Sequence, residues 1–126
     1  MSRGLLDTSV VIGLARGEQV ELPAEVAISA VTLCGLHHGV LVASETQRPG
    51  RLATLAMAER RFHPLPVDLR VAPSYGRIMA SVRRQKGRRL RTADALIAAT
   101  AMANNLPLYT RDRDFADIDG LEVILA

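Results

Sequence analysis

Arg91-Thr92-Ala93-Asp94-Ala95-Leu96-Ile97-Ala98-Ala99-Thr100-Ala101 reads as a helix of small and aliphatic side chains with one carboxylate in its first turn. Thr92 is a natural N-cap, and Ile97, Ala98 and Ala101 share the face of Asp94 at i+3, i+4 and i+7. The acid has two readings. It satisfies the positive end of the helix dipole, worth about 0.3–1 kcal/mol, or it works with other acids that the fold brings beside it. The flanking sequence decides between them.

Downstream, Leu106-Pro107-Leu108-Tyr109 reads as a strand, Thr110 to Phe115 as a polar turn, and Leu121-Glu122-Val123-Ile124-Leu125 as a last strand. At the other end of the chain, Gly4-Leu5-Leu6 is a short apolar run closed by Asp7-Thr8-Ser9. Val10, Val11, Leu14 and Ala15 continue with helical spacing to Gly17. A loop through Pro23 leads to a second buried strand, Val26 to Ser29. Thr32 is placed to cap the next helix, with its apolar stripe on Leu33, Leu36, Val40 and Leu41. After a break at Arg48-Pro49-Gly50, Arg51 to Phe62 is helical. His63-Pro64-Leu65-Pro66-Val67 is extended, and its prolines restrict it to a sheet edge or a crossover. Asp68 or Pro73 opens a helix through Tyr75, Ile78, Met79 and Val82 that closes near Gly87.

Short apolar strands alternating with helices predict an α/β fold, a three-layer α/β/α arrangement around a mostly parallel sheet of four to five strands. The 126 residues suit one domain, 1–126, with a single core. In such folds ligands bind beyond the carboxyl ends of the strands. Asp7 directly follows the first strand, and Thr110-Arg111-Asp112-Arg113-Asp114 follows the penultimate one, so both face the same edge. With Asp94 packed there, three or four carboxylates converge. Such repulsion is relieved by a hard divalent cation on oxygen ligands, magnesium or manganese, which activates water and clamps phosphate oxygens. The expected activity is a metal-dependent nuclease.

Composition narrows the field. Cys34 is the only cysteine, which rules out an internal disulfide framework or thiolate zinc site. Phe62, Tyr75, Tyr109 and Phe115 are the only aromatics, too few and too scattered to grip a single strand by base stacking. No apolar run approaches the roughly 18 residues of a membrane span, and a cytoplasmic protein is expected. The net charge of +3 suits a polyanion, and Arg83-Arg84-Gln85-Lys86-Gly87-Arg88-Arg89-Leu90-Arg91 lies just before the Asp94 helix, where cations could hold phosphates flanking a cut. His37-His38 are adjacent on a helix, about 100° apart, and cannot share one ion; they read as surface or packing residues.

Leu5-Leu6-Asp7-Thr8-Ser9-Val10, Ile28-Ser29-Ala30-Val31-Thr32-Leu33, Ala93-Asp94-Ala95-Leu96-Ile97-Ala98-Ala99 and Thr110-Arg111-Asp112-Arg113-Asp114-Phe115 together resemble the successive motifs of PIN-domain ribonucleases, specifically VapC-type toxins of bacterial toxin–antitoxin pairs. The resemblance implies a magnesium- or manganese-dependent endoribonuclease that cuts structured tRNA or rRNA, forms a homodimer and is silenced by a cognate VapB-type antitoxin. By position, Asp7 and Asp94 match metal-site acids. Asp112 and Asp114 lie in the motif that supplies a further acid, with Asp112 the first choice as ligand.

One acid is missing. Where the family places a glutamate after the second motif, this chain has Gly35, followed by Leu36-His37-His38-Gly39. With Thr32 as cap, position 35 would be the third helical residue, where a glutamate would also complete a capping box, and glycine there costs about 1 kcal/mol. Glu45, ten residues on along the same helix, would lie about 15 Å away. Weakened metal binding and reduced cleavage are therefore expected, the alternative being an inactive protein that binds antitoxin and RNA without cutting. A natural divergence and an introduced inactivating change would read alike. Two other folds with an Asp after the first strand are disfavoured. Haloacid-dehalogenase-type phosphatases need a second Asp at the place of Ser9, and receiver domains need a Lys near Tyr109-Thr110.

Overall fold

The computed structural model describes residues 2–126. It contains β1 (Arg3–Leu6), α1 (Thr8–Ala15), β2 (Glu25–Ser29), α2 (Ala30–Val42), α3 (Arg48–Arg61), β3 (His63–Leu65), α4 (Val71–Arg83), α5 (Thr92–Ala103), β4 (Leu108–Thr110), a 3₁₀ turn (Arg113–Phe115) and β5 (Val123–Leu125). The strands form one sheet in the order β3-β2-β1-β4-β5, and every pairing is parallel. The α/β class and the five-strand count agree with the sequence, and the sheet is wholly rather than mostly parallel. Pro64 sits in β3, which pairs only with β2, the edge position that its missing N–H demands.

Alternation along the central strand separates two apolar clusters. Leu5 points into one, with Ile78 and Val82 of α4, Ala95, Ala98, Ala99 and Ala101 of α5, Leu108 and Phe115. Leu6 points into the other, with Val10 and Val11 of α1, Leu36 of α2, and Leu55 and Ala58 of α3. Being covered on both faces makes β1 a continuous apolar run rather than an alternating one. The alanines of α5 carry no bulk, so that helix lies close over the sheet and brings its first turn to the carboxyl edge.

Several boundaries differ from the sequence reading. Ser29, not Thr32, caps α2, its Oγ accepting from Val31 N–H at 3.1 Å. Position 35 therefore falls in the second turn, and the capping-box argument for a glutamate there does not hold. Glu45 lies beyond the end of α2, so it is not ten residues along one helix. Thr92 is the first residue of α5, and Arg91 holds the N-cap position without a side-chain cap bond. Asp94 remains in the first turn. Pro49 does not break the chain but opens α3 from within its first turn, where a missing N–H costs nothing.

Candidate metal and RNA site

The register of the sheet builds the site. Leu6 of β1 lies opposite Tyr109 of β4, and Asp7 N–H extends the ladder by donating to the Tyr109 carbonyl at 2.9 Å. Asp7 thus leaves its strand level with Thr110. Its carboxylate is buried and gathers three donors: Thr8 N–H at 2.8 Å, Ser9 Oγ at 2.9 Å and Thr110 Oγ1 at 2.7 Å. It is the N-cap of α1, its Oδ1 taken by Thr8 N–H and its Oδ2 by the two hydroxyls.

Thr110 does double duty. While its hydroxyl donates to Asp7, its oxygen accepts from Asp112 N–H at 3.0 Å, which ties the two acids through one side chain. Asp112 then caps the 3₁₀ turn, its Oδ1 accepting from Asp114 N–H at 2.8 Å. Two more hydroxyl pairs join neighbouring elements, Thr8 with Thr32 at 3.1 Å and Ser29 with Thr100 at 3.0 Å. Sequence reasoning missed these hydroxyls; the two-residue Thr-x-Asp spacing at a strand end, typical of side-chain turns, was the available sign.

Asp94 completes the group. Burial pushes its carboxyl above the usual carboxylate value, and the like charges of Asp7 and Asp112 push the same way, while the Arg91 hydrogen bond and charge pull it back. Asp94 is thus within electrostatic range of Asp7 and Asp112, acids from remote parts of the chain. Asp114 is not among the groups acting on Asp94; its side chain is exposed. Arg91 Nε meets Asp94 Oδ2 at 3.2 Å from a largely exposed side chain.

The raised value fixes a sign. Asp94 contributes stability while protonated, below its unfolded-state value, and that contribution is lost as pH rises through the raised folded value. Asp94→Asn is expected to melt higher than the parent at pH 7 without divalent ions, with the gap closing as pH falls toward 4. Thermal melts between pH 4 and 8 check this, and a lower melting point for the variant at pH 7 would refute it.

The oxygen-only character of the donor set fits a hard cation, and the mutual repulsion at Asp94 is what a cation would relieve. Among the described residues, however, no three such side chains are grouped closely enough to hold an ion jointly. Magnesium often uses only one or two carboxylates directly and keeps several waters, through which further acids can act. At Gly35 an added Cβ would touch nothing within 4 Å, so the place of the absent acid is open and exposed.

The basic run proves less free than its composition suggests. Arg84 pairs with Asp119 at 3.2 Å, Arg88 is spent on backbone carbonyls and Arg91 is on Asp94. Among the described residues, Arg83, Lys86 and Arg89 are exposed without a charged partner. His37 and His38 are exposed, His37 within 3.6 Å of Glu59, in line with a surface role. Among the described residues no helix is long and apolar enough to cross a membrane.

A parallel α/β domain with carboxylates at the ends of two neighbouring strands and at the head of the helix above them defines an acid-edged class of fold. A model of the PIN domain matches residues 4–121. Ribonuclease VapC5 of Mycobacterium tuberculosis is 42% identical over 121 residues, 93% of this chain and 88% of its own. Ribonuclease VapC4 of the same organism is 35% identical over 125 residues, 97% and 95%. The crystal structure of VapBC-5 from Mycobacterium tuberculosis, a member of the VapBC family of toxin–antitoxin systems, superposes with a TM-score of 0.86 at 38% identity over 100% of both chains. The chain belongs to the PIN-domain family, among the VapC ribonucleases.

Proposed function

We propose that the chain is the toxin of a toxin–antitoxin pair, an endoribonuclease dependent on magnesium or manganese that acts on structured tRNA or rRNA. In this reading it is a cytoplasmic homodimer held silent by a VapB-type antitoxin. The observation that carries the reading is the Thr110 hydroxyl, which donates to the Asp7 carboxylate and accepts from Asp112 N–H and so sets two acids side by side at the ends of neighbouring strands, with Asp94 in the first turn of α5. Asp7, Asp94 and Asp112 would hold the ion, and Asp114 stands by on the same turn. When bound, the ion supplies an activated water and neutralises charge on the phosphate under attack. The chain's own residues orient the parts: Thr8, Ser9 and Thr110 fix the Asp7 carboxylate, and Arg83, Lys86 and Arg89 attract the phosphates on either side of the cut.

The test is cleavage of total tRNA and rRNA with magnesium or manganese. Cutting should stop with chelator and fall at least about 100-fold in Asp94→Asn. Cutting indifferent to both would end the metal-nuclease reading. A second reading, binding of antitoxin and RNA without cleavage, is favoured by one observation: no side chain at position 35 reaches the edge, and the open space around it stays unfilled.

A further inference from the structure

Asp112 stands on a segment with little regular structure, and such a loop, left alone, would sample many backbone states. A guanidinium restrains each end of it. At the near end Arg111, adjacent to Asp112, forms an ion pair with Glu18, and its N–H donates to Ser9 Oγ at 3.3 Å. Glu18 is itself anchored, its N–H donating to the Gly13 carbonyl at 3.0 Å. A Cβ on Gly13 would stand 2.7 Å from Glu18 Oε2 and 2.8 Å from Arg111 Nη1, so the pair lies against the backbone of α1 and its two side-chain ends would have to shift to admit a methyl group.

At the far end Arg88 Nη2 donates to the carbonyls of Asp114, at 2.6 Å, and Ala116, and Arg88 Nη1 to that of Asp117 at 3.2 Å. Gln85 joins it, accepting from Arg88 Nη1 at 2.7 Å and donating to the Asp117 carbonyl at 2.9 Å. Asp117 has φ of 56°, a left-handed conformation that a non-glycine residue keeps only when its surroundings hold it. A lysine has no planar fork with which to bind three carbonyls.

We propose that Arg88 and the Glu18–Arg111 pair are positioning residues that hold the Asp112 segment beside Thr110 and Asp7, so that its carboxylate is within the reach of an arriving ion. They touch neither ion nor RNA. The inference rests on the metal-nuclease reading and adds to it the residues that set its most loosely built member. It also makes the basic segment 83–91 and the acid loop one unit, joined by the Arg88 and Gln85 bonds and by Arg84 to Asp119.

The experiment measures Mn²⁺ affinity by titration calorimetry on the full chain and on Arg88→Lys, Glu18→Gln and Gly13→Ala. Amide hydrogen exchange at 111–117 is read on the same samples, well below their melting points. Each variant is expected to bind Mn²⁺ about 10-fold more weakly and to exchange faster at 111–117, with α4 and α5 unchanged. Exchanging the charges, Glu18→Arg with Arg111→Glu, should recover part of the affinity lost in Glu18→Gln. Faster exchange with unchanged Mn²⁺ affinity would make the clamps merely structural and overturn the proposal. Absence of Mn²⁺ binding by the parent overturns the metal reading and this proposal together, whereas parent binding that every variant matches overturns this proposal alone.

Discussion

Gly35→Glu is expected to raise divalent-dependent RNA cleavage by about 10- to 100-fold. Position 35 lies one turn after Val31, which packs against the cluster built around α5. It also lies one turn after Thr32, whose hydroxyl meets that of Thr8 beside Asp7. Residues three and four apart share a helix face, so a glutamate there would extend over the edge where Asp7 and Asp94 stand. Nothing obstructs it, since a Cβ at position 35 meets no atom within 4 Å. Replacing glycine in a helix also removes a penalty of up to about 1 kcal/mol, which raises the melting point without any metal. Gly35→Gln separates the two effects: it shares the helix gain and the length but lacks the charge. Equal cleavage by the glutamate and glutamine variants would refute the assignment of a missing ligand.

The second large effect is a loss. Asp7→Ala removes the cap of α1, a change worth about 1 kcal/mol, and strips the buried Thr110 hydroxyl of its acceptor, worth about 1–3 kcal/mol. A drop in melting temperature of about 10 °C is expected for a chain of this length, together with loss of any cleavage. Asp7→Asn keeps an oxygen for Thr8 N–H and should fall between parent and alanine in stability while still failing to cut. That split separates the structural from the chemical part of Asp7. A melting temperature for Asp7→Ala within about 2 °C of the parent would show that the three hydrogen bonds carry little stability.

How far the sequence disclosed this arrangement depended on the range of the interactions involved. The strand ends at Asp7 and Thr110 were readable because an apolar run stopping at a polar residue is local information, and Pro64 and Pro66 narrowed β3 to an edge or a crossover, of which the structure shows the edge. The cap of α2 was misread, since Ser29 and Thr32 are both good caps by type. What decides between them is where β2 stops pairing with β3, at Ser29 opposite Leu65. The basic run was read as free charge because nothing local shows that Arg88 turns inward to carbonyls near residue 116, nor that Arg84 meets Asp119. Asp112 was preferred over Asp114 for its closeness to the strand end, and the structure separates the two further, Asp112 N–H reaching the Thr110 hydroxyl while the Asp114 side chain is exposed.

The bond from Thr110 to Asp7 closes a loop of 103 residues, and β1 owes its place between β2 and β4 to the same closure. Contacts so distant along a chain form late, because the entropy of the intervening segment must be overcome first. During synthesis the amino-terminal part emerges and folds first, carrying Asp7 but neither Asp94 nor Asp112. A ribosome-bound fragment therefore holds Asp7 without its two companions whatever it has already folded, and the acid edge comes into being only after β4 has been made and joined to the sheet.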